Sequence, residues 1–300
     1  MKHAILILLI ATVHPAMAQP ADTLVTEAEV LAQFDEARAL GVDASGTLFV
    51  VDAGKDVVLQ LDPGGGLLAS LGGPGVHEGQ FDEPADIDPT NGLLWIVADA
   101  GNGRLQRFSR TFLHMETLPV ARIDHFTPGV AGRTVPVGEE GGFEEADGRP
   151  IAVVTSNANE IFAIDEAQGL VLKWDSSRRL ERAIGGYDDG DGALVDPVAL
   201  AVDAASLYVA DRGQAAVLVY DLFGGFIRVL APGRAEDVRA VTIAGNQRWI
   251  ILPERILLYH ARGRLLRVLD VQLGEPLVDA AYYNGTTYLL TPTRLLRTTL

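Results

Sequence analysis

Residues 72–109 read GGPGVHEGQFDEPADIDPTNGLLWIVADAGNGRLQRFS, and their spacing supplies a ruler for the rest of the chain. A short apolar strand, LWIVAD, ends at Asp99; a turn rich in Gly and Asn follows, and a second strand ends ten residues later at Ser109. The same step recurs after LFVVD, IFAID and LYVAD, from Asp52 to Asp62, Asp165 to Asp175 and Asp211 to Asp221. Nine residues further on, a third strand ends at Leu71, Leu118, Ile184 and Leu230. Spacings that agree in four copies mark an internal repeat.

A fourth strand leads the copies: ALGV before Asp43, ALAV before Asp203, and AVTI at 240–243. Short strands bounded by Gly, Asp and Asn, with no sustained helical periodicity, read as all-β. Four antiparallel strands per unit, at a period of roughly 40–47 residues, are what a β-propeller blade requires. Two degenerate copies follow, WIILPERILLYHARGRLLRVL and TTYLLTPTRLLRTTL, which brings the count to six. One aromatic recurs before the Asp position, as Phe49, Trp95, Phe162, Tyr208, Trp249 and Tyr288. Recurrence in every copy predicts packing between neighbouring sheets rather than a ligand cage.

The expected fold is a six-bladed β-propeller of four-stranded antiparallel blades. Blades are predicted near 34–80, 81–118, 119–194, 195–233, 234–270 and 271–300. The last lacks its outermost strand, and DTLVTEAEV at 22–30 has no assigned partner, so the N-terminal strand is expected to complete the last blade and remove two open edges. From Asp99 to Asp165 is 66 residues, against 47 from Asp52 to Asp99. The excess, 120–150, reads as a long inserted loop with an acidic run from Glu139 to Glu145, of the kind that shapes a binding face.

The linker G-x-G…GQF-x-x-P, the V-A-D strand end and the following N-G-R-L-Q resemble the NHL-repeat family of propellers. Blade four, DPVALAVDAASLYVADRGQAAVLVYD, is a second good match; blade one is fair, blade three is interrupted, and five and six are degenerate. The resemblance implies a fold over nearly the whole chain after its first residues. It implies little about activity, because such propellers serve as binding platforms, RNA readers, lyases and lactonases.

Composition narrows the classes. The opening MKHAILILLIATVHPAMAQ has a basic start, an apolar run too short to span a bilayer, and an Ala-Met-Ala box. A signal peptide at 1–18, a single domain over 19–300 and a periplasmic or secreted location are therefore expected, without membrane insertion. The chain has no cysteine, so no disulfide helps the fold. Twenty-four basic against 40 acidic residues give a net charge of −16, which repels phosphate backbones and argues against nucleic acid.

The V-A-D aspartates are expected to be structural, accepting turn N–H groups, with Arg104 paired to one of them. Asp43 and Asp203 read as turn residues. Beyond the signal, His77, His114, His125 and His260 fall at four different blade positions and do not converge, so no zinc site is expected. YDDGDG at 187–192 could open a calcium loop, but the twelfth position from Asp189 is Leu200, and the stretch aligns with the linker at 72–84. No cofactor is expected.

Departures from the repeat point to the axis. Where Ala39 and Ala199 begin the innermost strand, Asp86 and Asp279 stand in blades two and six. Arg38, Arg149 and Arg239 lie near the same level. Together they are expected to form a polar ring at one channel mouth, where propellers bind ligands. The reading drawn from these features is a monomeric, non-catalytic scaffold that recognises a protein, peptide or glycan. The alternative is a metal-dependent propeller enzyme of the lyase or lactonase type.

Overall fold

Strands that are covered on both sides can be apolar at every position, and those with one open side must alternate. LFVVD is buried throughout and LWIVAD nearly so, whereas the outer LLASLG alternates between exposed and half-buried. This gradient from inside to outside is what a radial stack of sheets produces.

The computed structural model describes residues 21–90, 92, 94–121 and 147–299. Two strands, β1 (Ala21–Val25) and β2 (Glu29–Gln33), precede the first blade, which comprises β3 (Ala37–Val42), β4 (Leu48–Asp52), β5 (Val57–Leu61) and β6 (Leu67–Gly72). Blade two is β7 (Pro84–Asp88), β8 (Leu94–Asp99), β9 (Arg104–Ser109) and β10 (His114–Pro119). Blade three is β11 (Pro150–Thr155), β12 (Ile161–Asp165), β13 (Leu170–Trp174) and β14 (Leu180–Ile184). Blade four is β15 (Pro197–Val202), β16 (Ser206–Asp211), β17 (Ala216–Asp221) and β18 (Phe226–Leu230). Blade five is β19 (Ala240–Ala244), β20 (Gln247–Leu252), β21 (Arg255–His260) and β22 (Leu265–Val271). Blade six holds β23 (Asp279–Tyr283), β24 (Thr286–Leu290) and β25 (Arg294–Thr298).

Each innermost strand touches that of the next blade, and β23 returns to β3, so the ring is closed. Closure uses the N-terminus in two steps. Strand β2 pairs antiparallel with β25 and completes blade six, with Glu29 ion-paired to Arg297 at 2.6 Å. Strand β1 does not join that sheet. It runs parallel to β22 and adds a fifth strand to blade five. The expectation that 22–30 serves the last blade as one piece is corrected here: three residues between the strands carry the chain from one blade to the next.

The recurring aromatics are core residues, as the repeat implied. Phe49, Trp95, Phe162, Tyr208, Trp249 and Tyr288 are all buried, and Phe49 meets the edge of Trp95 at 4.6 Å across the first blade junction. Apolar clusters fill each of the six junctions among the described residues.

The V-A-D aspartates are fully buried hubs. Asp52 accepts the N–H groups of Asp35 and Glu36, Asp165 that of Arg149, and Asp211 those of Val195 and Asp196. Asp99 accepts from the Asp82 N–H and from the side chains of Asn102, Arg104 and Gln106. Each hub ties a hairpin to the segment entering its own innermost strand. Blades five and six have Leu252 and Thr291 at this register, and their turns are shorter.

YDDGDG is a pair of short 3-10 turns with a break at Gly190, and the Asp189 carboxylate is engaged by the Gly185 and Gly186 N–H groups. Most of the 120–150 insertion, including His125 and the acidic run, lies outside the described residues, as does the segment 1–18 expected to be a signal peptide. The ends of the insertion meet, since the Gly148 N–H donates to the Val120 carbonyl at 3.1 Å.

Candidate active site

The six innermost strands enclose a channel cavity of about 240 Å³. Strand register defines its levels. Facing Val51, Ala98, Ile164, Ala210, Ile251 and Leu290 are Ala39, Asp86, Ala152, Ala199, Ala240 and Asp279. Four blades thus present a methyl group at this level, and blades two and six present a carboxyl.

One residue nearer the mouth stand Arg38, Ala85, Ile151, Val198, Arg239 and Val278, in blade order. Around the ring from blade five to blade two, the polar groups therefore alternate: Arg239, Asp279, Arg38, Asp86. Blades three and four supply apolar side chains at both levels. The mouth is polar on one side and apolar on the other, the pattern of a small-molecule site.

The two carboxyls also hold the ring together. Asp86 accepts the N–H of Ile87 with one oxygen and the N–H of Val153, in the next blade, with the other, both at 2.8 Å. Asp279 repeats this with Ala280 and, across the junction, Leu40 at 2.8 Å. Both are half-buried, deep in the molecule but open to the channel. Burial pushes the Asp86 carboxyl up to about 7, against the two N–H groups that favour its charged form, with Asp88 adding repulsion. Asp279 is likewise pushed up to about 7 by burial, with Asp86 raising it further. Asp88, two residues deeper, binds Thr90 and the Thr155 N–H and is also raised by burial.

The three arginines of the expected ring differ. Arg38 leans on Glu36 at 2.8 Å and Arg239 is exposed at the mouth with no ion pair among the described residues; both line the cavity. Arg149 does not line it. It sits a step further out, held by Glu83 at 2.6 Å and Glu166 at 2.9 Å, so its place in the channel ring is corrected to a rim clamp between blades two and three.

Sequence reasoning missed Asp88, which alternation puts on the same face of β7 as Asp86 and which was legible from that spacing. His77, His114 and His260 stand apart from the cavity lining. Among the described residues, no group of three His, Cys, Asp or Glu side chains is arranged to hold a metal ion, so no step below passes through one.

No protein-family model matches this chain, and no curated protein matches it. Its structure is similar to that of a catalytically inactive virginiamycin B lyase from Staphylococcus aureus with quinupristin, with a TM-score of 0.61 at 8% identity over 91% of this chain and 98% of the other. A streptogramin B lyase matches with a TM-score of 0.59 at 8% identity over 90% of this chain and 96% of that one. The computationally designed Ika8 protein matches at 0.51 and 14%, over 88% and 71%. At these identities the likeness shows the β-propeller fold alone. The expectation of a non-catalytic scaffold is set aside: the two lyases, matched over nearly their full length, are enzymes built on this kind of ring.

Proposed function

We propose that this chain is an exported propeller enzyme of the NHL-repeat type that carries out a proton-transfer reaction of the lyase class at its channel mouth. The observation that carries the reading is the pair Asp86 and Asp279, two carboxyls raised to about 7 that face one cavity with guanidinium groups at its rim. A carboxyl of this kind is partly ionised and partly protonated near neutral pH, so one of the two can take a proton while the other gives one. Every oxygen of the pair accepts one N–H, and a carboxylate oxygen has a further lone pair to offer the channel.

That set supports a simple elimination. One carboxylate removes a proton from the carbon beside a substrate carbonyl, and the electron pair of that bond forms the new double bond. The bond to the leaving oxygen breaks, and the second carboxyl supplies that oxygen with a proton. Arg38 and Arg239 stabilise the negative charge that develops on the carbonyl oxygen. The neighbouring lyases support the architecture only, and no residue role is transferred from them. The NHL assignment rests on the linker and strand-end motifs, and export on the leader-like first 18 residues.

The test is a panel of small esters, lactones and β-substituted carboxylates incubated with the purified protein and read by mass spectrometry. Elimination splits the substrate without adding the mass of a water. Turnover that falls by about 100-fold or more in Asp86→Asn and Asp279→Asn, with folding intact, supports the proposal. An inert wild-type protein, or variants as active as wild type, overturns it.

A further inference from the structure

We infer that the channel mouth takes a compact carboxylate-bearing ligand, its anionic group held by Arg239 with help from Arg38 and its apolar body against Ile151 and Val198. This deepens the reading above and rests on the same cavity, although it concerns binding rather than turnover.

The first ground is that the mouth arginines differ in what they hold. Arg38 donates to Glu36 through Nε and Nη2, Arg149 is clamped by Glu83 and Glu166, and Arg212 is paired with Asp196 at 2.7 Å. Arg239 has neither an ion pair nor a side-chain hydrogen bond to protein among the described residues, yet it lines the cavity. Asp237 stands at the offset from Arg239 that Glu36 has from Arg38, but its charge acts on Arg212. A planar guanidinium has five donors in a fork that matches a carboxylate with two parallel bonds.

The second ground is local charge. The chain carries −16 overall, a field that discourages anions, but the rim carboxylates Glu36, Glu83, Glu166 and Asp196 are each ion-paired with Arg38, Arg149 or Arg212. An approaching carboxylate therefore meets Arg239 as an uncommitted cation. The third is shape. A cavity of about 240 Å³ is smaller than the ~300–1,000 Å³ of drug-sized sites, so it suits a small molecule and not a folded partner. Ile151 and Val198, half-buried on the far side of the mouth, offer the apolar wall. Asp279 lies between the two guanidinium positions around the ring and one residue deeper, about 3.3 Å along the strand. A carboxylate held above it brings the adjoining carbon to the level of the Asp pair.

The experiment is fluorine NMR titration of the full chain with 4-fluorobenzoate, its neutral counterpart 4-fluorobenzamide, and 4-fluorophenyl phosphate. Wild type is expected to bind the benzoate and to bind the amide at least about tenfold more weakly, since a charge-assisted pair is lost. Arg239→Ala should weaken the benzoate by about tenfold and leave the amide unchanged, with Arg239→Lys recovering part of the loss. Arg262→Ala, an exposed arginine on a turn between outer strands, should change nothing. Equal binding of benzoate and amide, no benzoate binding to wild type, or an Arg239→Ala protein that binds like wild type would each overturn the inference. Tighter binding of the phosphate than of the benzoate would overturn the carboxylate assignment. Because binding is read without turnover, a catalytically inert protein that still selects the benzoate sinks only the enzymatic proposal.

Discussion

The carboxyl of Asp86 accepts the backbone N–H of Val153 at 2.8 Å, across a blade junction and 67 positions along the chain. The innermost strand of a blade has a partner on one side only, so alternate N–H groups of its free edge need acceptors. Asp86 and Asp88 supply them to Val153 and Thr155, and Asp279 supplies one to Leu40. The groups offered above as proton carriers are thus also seams of the ring, and chemistry and stability are coupled in them.

That coupling makes stability depend on pH in an unusual direction. An aspartate in the unfolded chain ionises near a pKa of about 3.9. In the folded protein Asp86 and Asp279 keep their protons until about pH 7. The folded state therefore binds more protons between these limits, and its stability from this source is full below the lower value and lost as pH rises through the upper one. The pair should contribute a fall on the order of 2–4 kcal/mol, since channel water screens part of the burial. Urea midpoints at about pH 4.5 and about pH 8 measure it in wild type and in the Asp86→Asn, Asp279→Asn double variant. The variant should lose the slope; an unchanged slope would show that the two carboxyls are not its source.

Asp99 is a different kind of aspartate. It is fully buried and joins Arg104, Asn102, Gln106 and the Asp82 N–H, while Arg104 reaches on to the carbonyls of Val76, His77 and Gln80. Asp99→Ala strands a guanidinium and several donors at once and should cost about 3–5 kcal/mol. Asp43→Ala removes a half-buried acceptor for Ser45 and Thr47 and should cost about 1 kcal/mol. Equilibrium unfolding compares them, and equal losses would contradict the hub.

Much of this was legible from spacing. The V-A-D aspartates, Arg104, the packed aromatics and the Asp86 and Asp279 departures all follow from aligning one copy with the next. What spacing lacks is the direction across blades. A period counts residues along the chain, and nothing in it says that a carboxyl of blade two will seek an N–H of blade three. Arg149 shows the same limit: it stands two residues before Ile151, the counterpart of Arg38, and so meets Glu83 and Glu166 rather than the axis. The scaffold reading failed for a related reason. That reading turned on known ligand sets, whereas the chemistry we propose rests on two aspartates whose ionisation is set by burial, which residue type alone does not report.

The two N-terminal strands separate closure from decoration. A chain beginning at residue 29 keeps β2, the Glu29–Arg297 pair and the contact of Leu31 with the apolar cluster of blades six and one. It loses β1, with the buried Val25 and the Thr23 contacts to Arg267, and the packing of Ala28 on the blade five–six core. A chain beginning at residue 34 also exposes the edge of β25 and removes the strand that ties blade six to blade one. The first truncation should lower the melting temperature by a few degrees and the second by far more, about 1 kcal/mol corresponding to ~2–4 °C at this size. Thermal unfolding of both decides the matter, and equal shifts would refute the division of labour between β1 and β2.

Arg149 supplies the converse pH dependence. It is part-exposed and bonded to Glu83 and Glu166, and its hydrogen bond is the leading cause that holds the Glu83 carboxyl below the ordinary carboxylate range. A lowered carboxyl stabilises the fold above its unfolded pKa, and that contribution is lost as pH falls through the folded value. Arg149→Ala should therefore cost up to about 1 kcal/mol at neutral pH, as exposed pairs do, and less at an acid pH where that contribution has been lost. Because Arg149 does not line the cavity, 4-fluorobenzoate affinity should not move in this variant. Chemical unfolding at the two pH values and one fluorine NMR titration test both halves. A loss of benzoate binding comparable to that of Arg239→Ala would return Arg149 to the channel ring and remove the distinction drawn between the rim and the mouth.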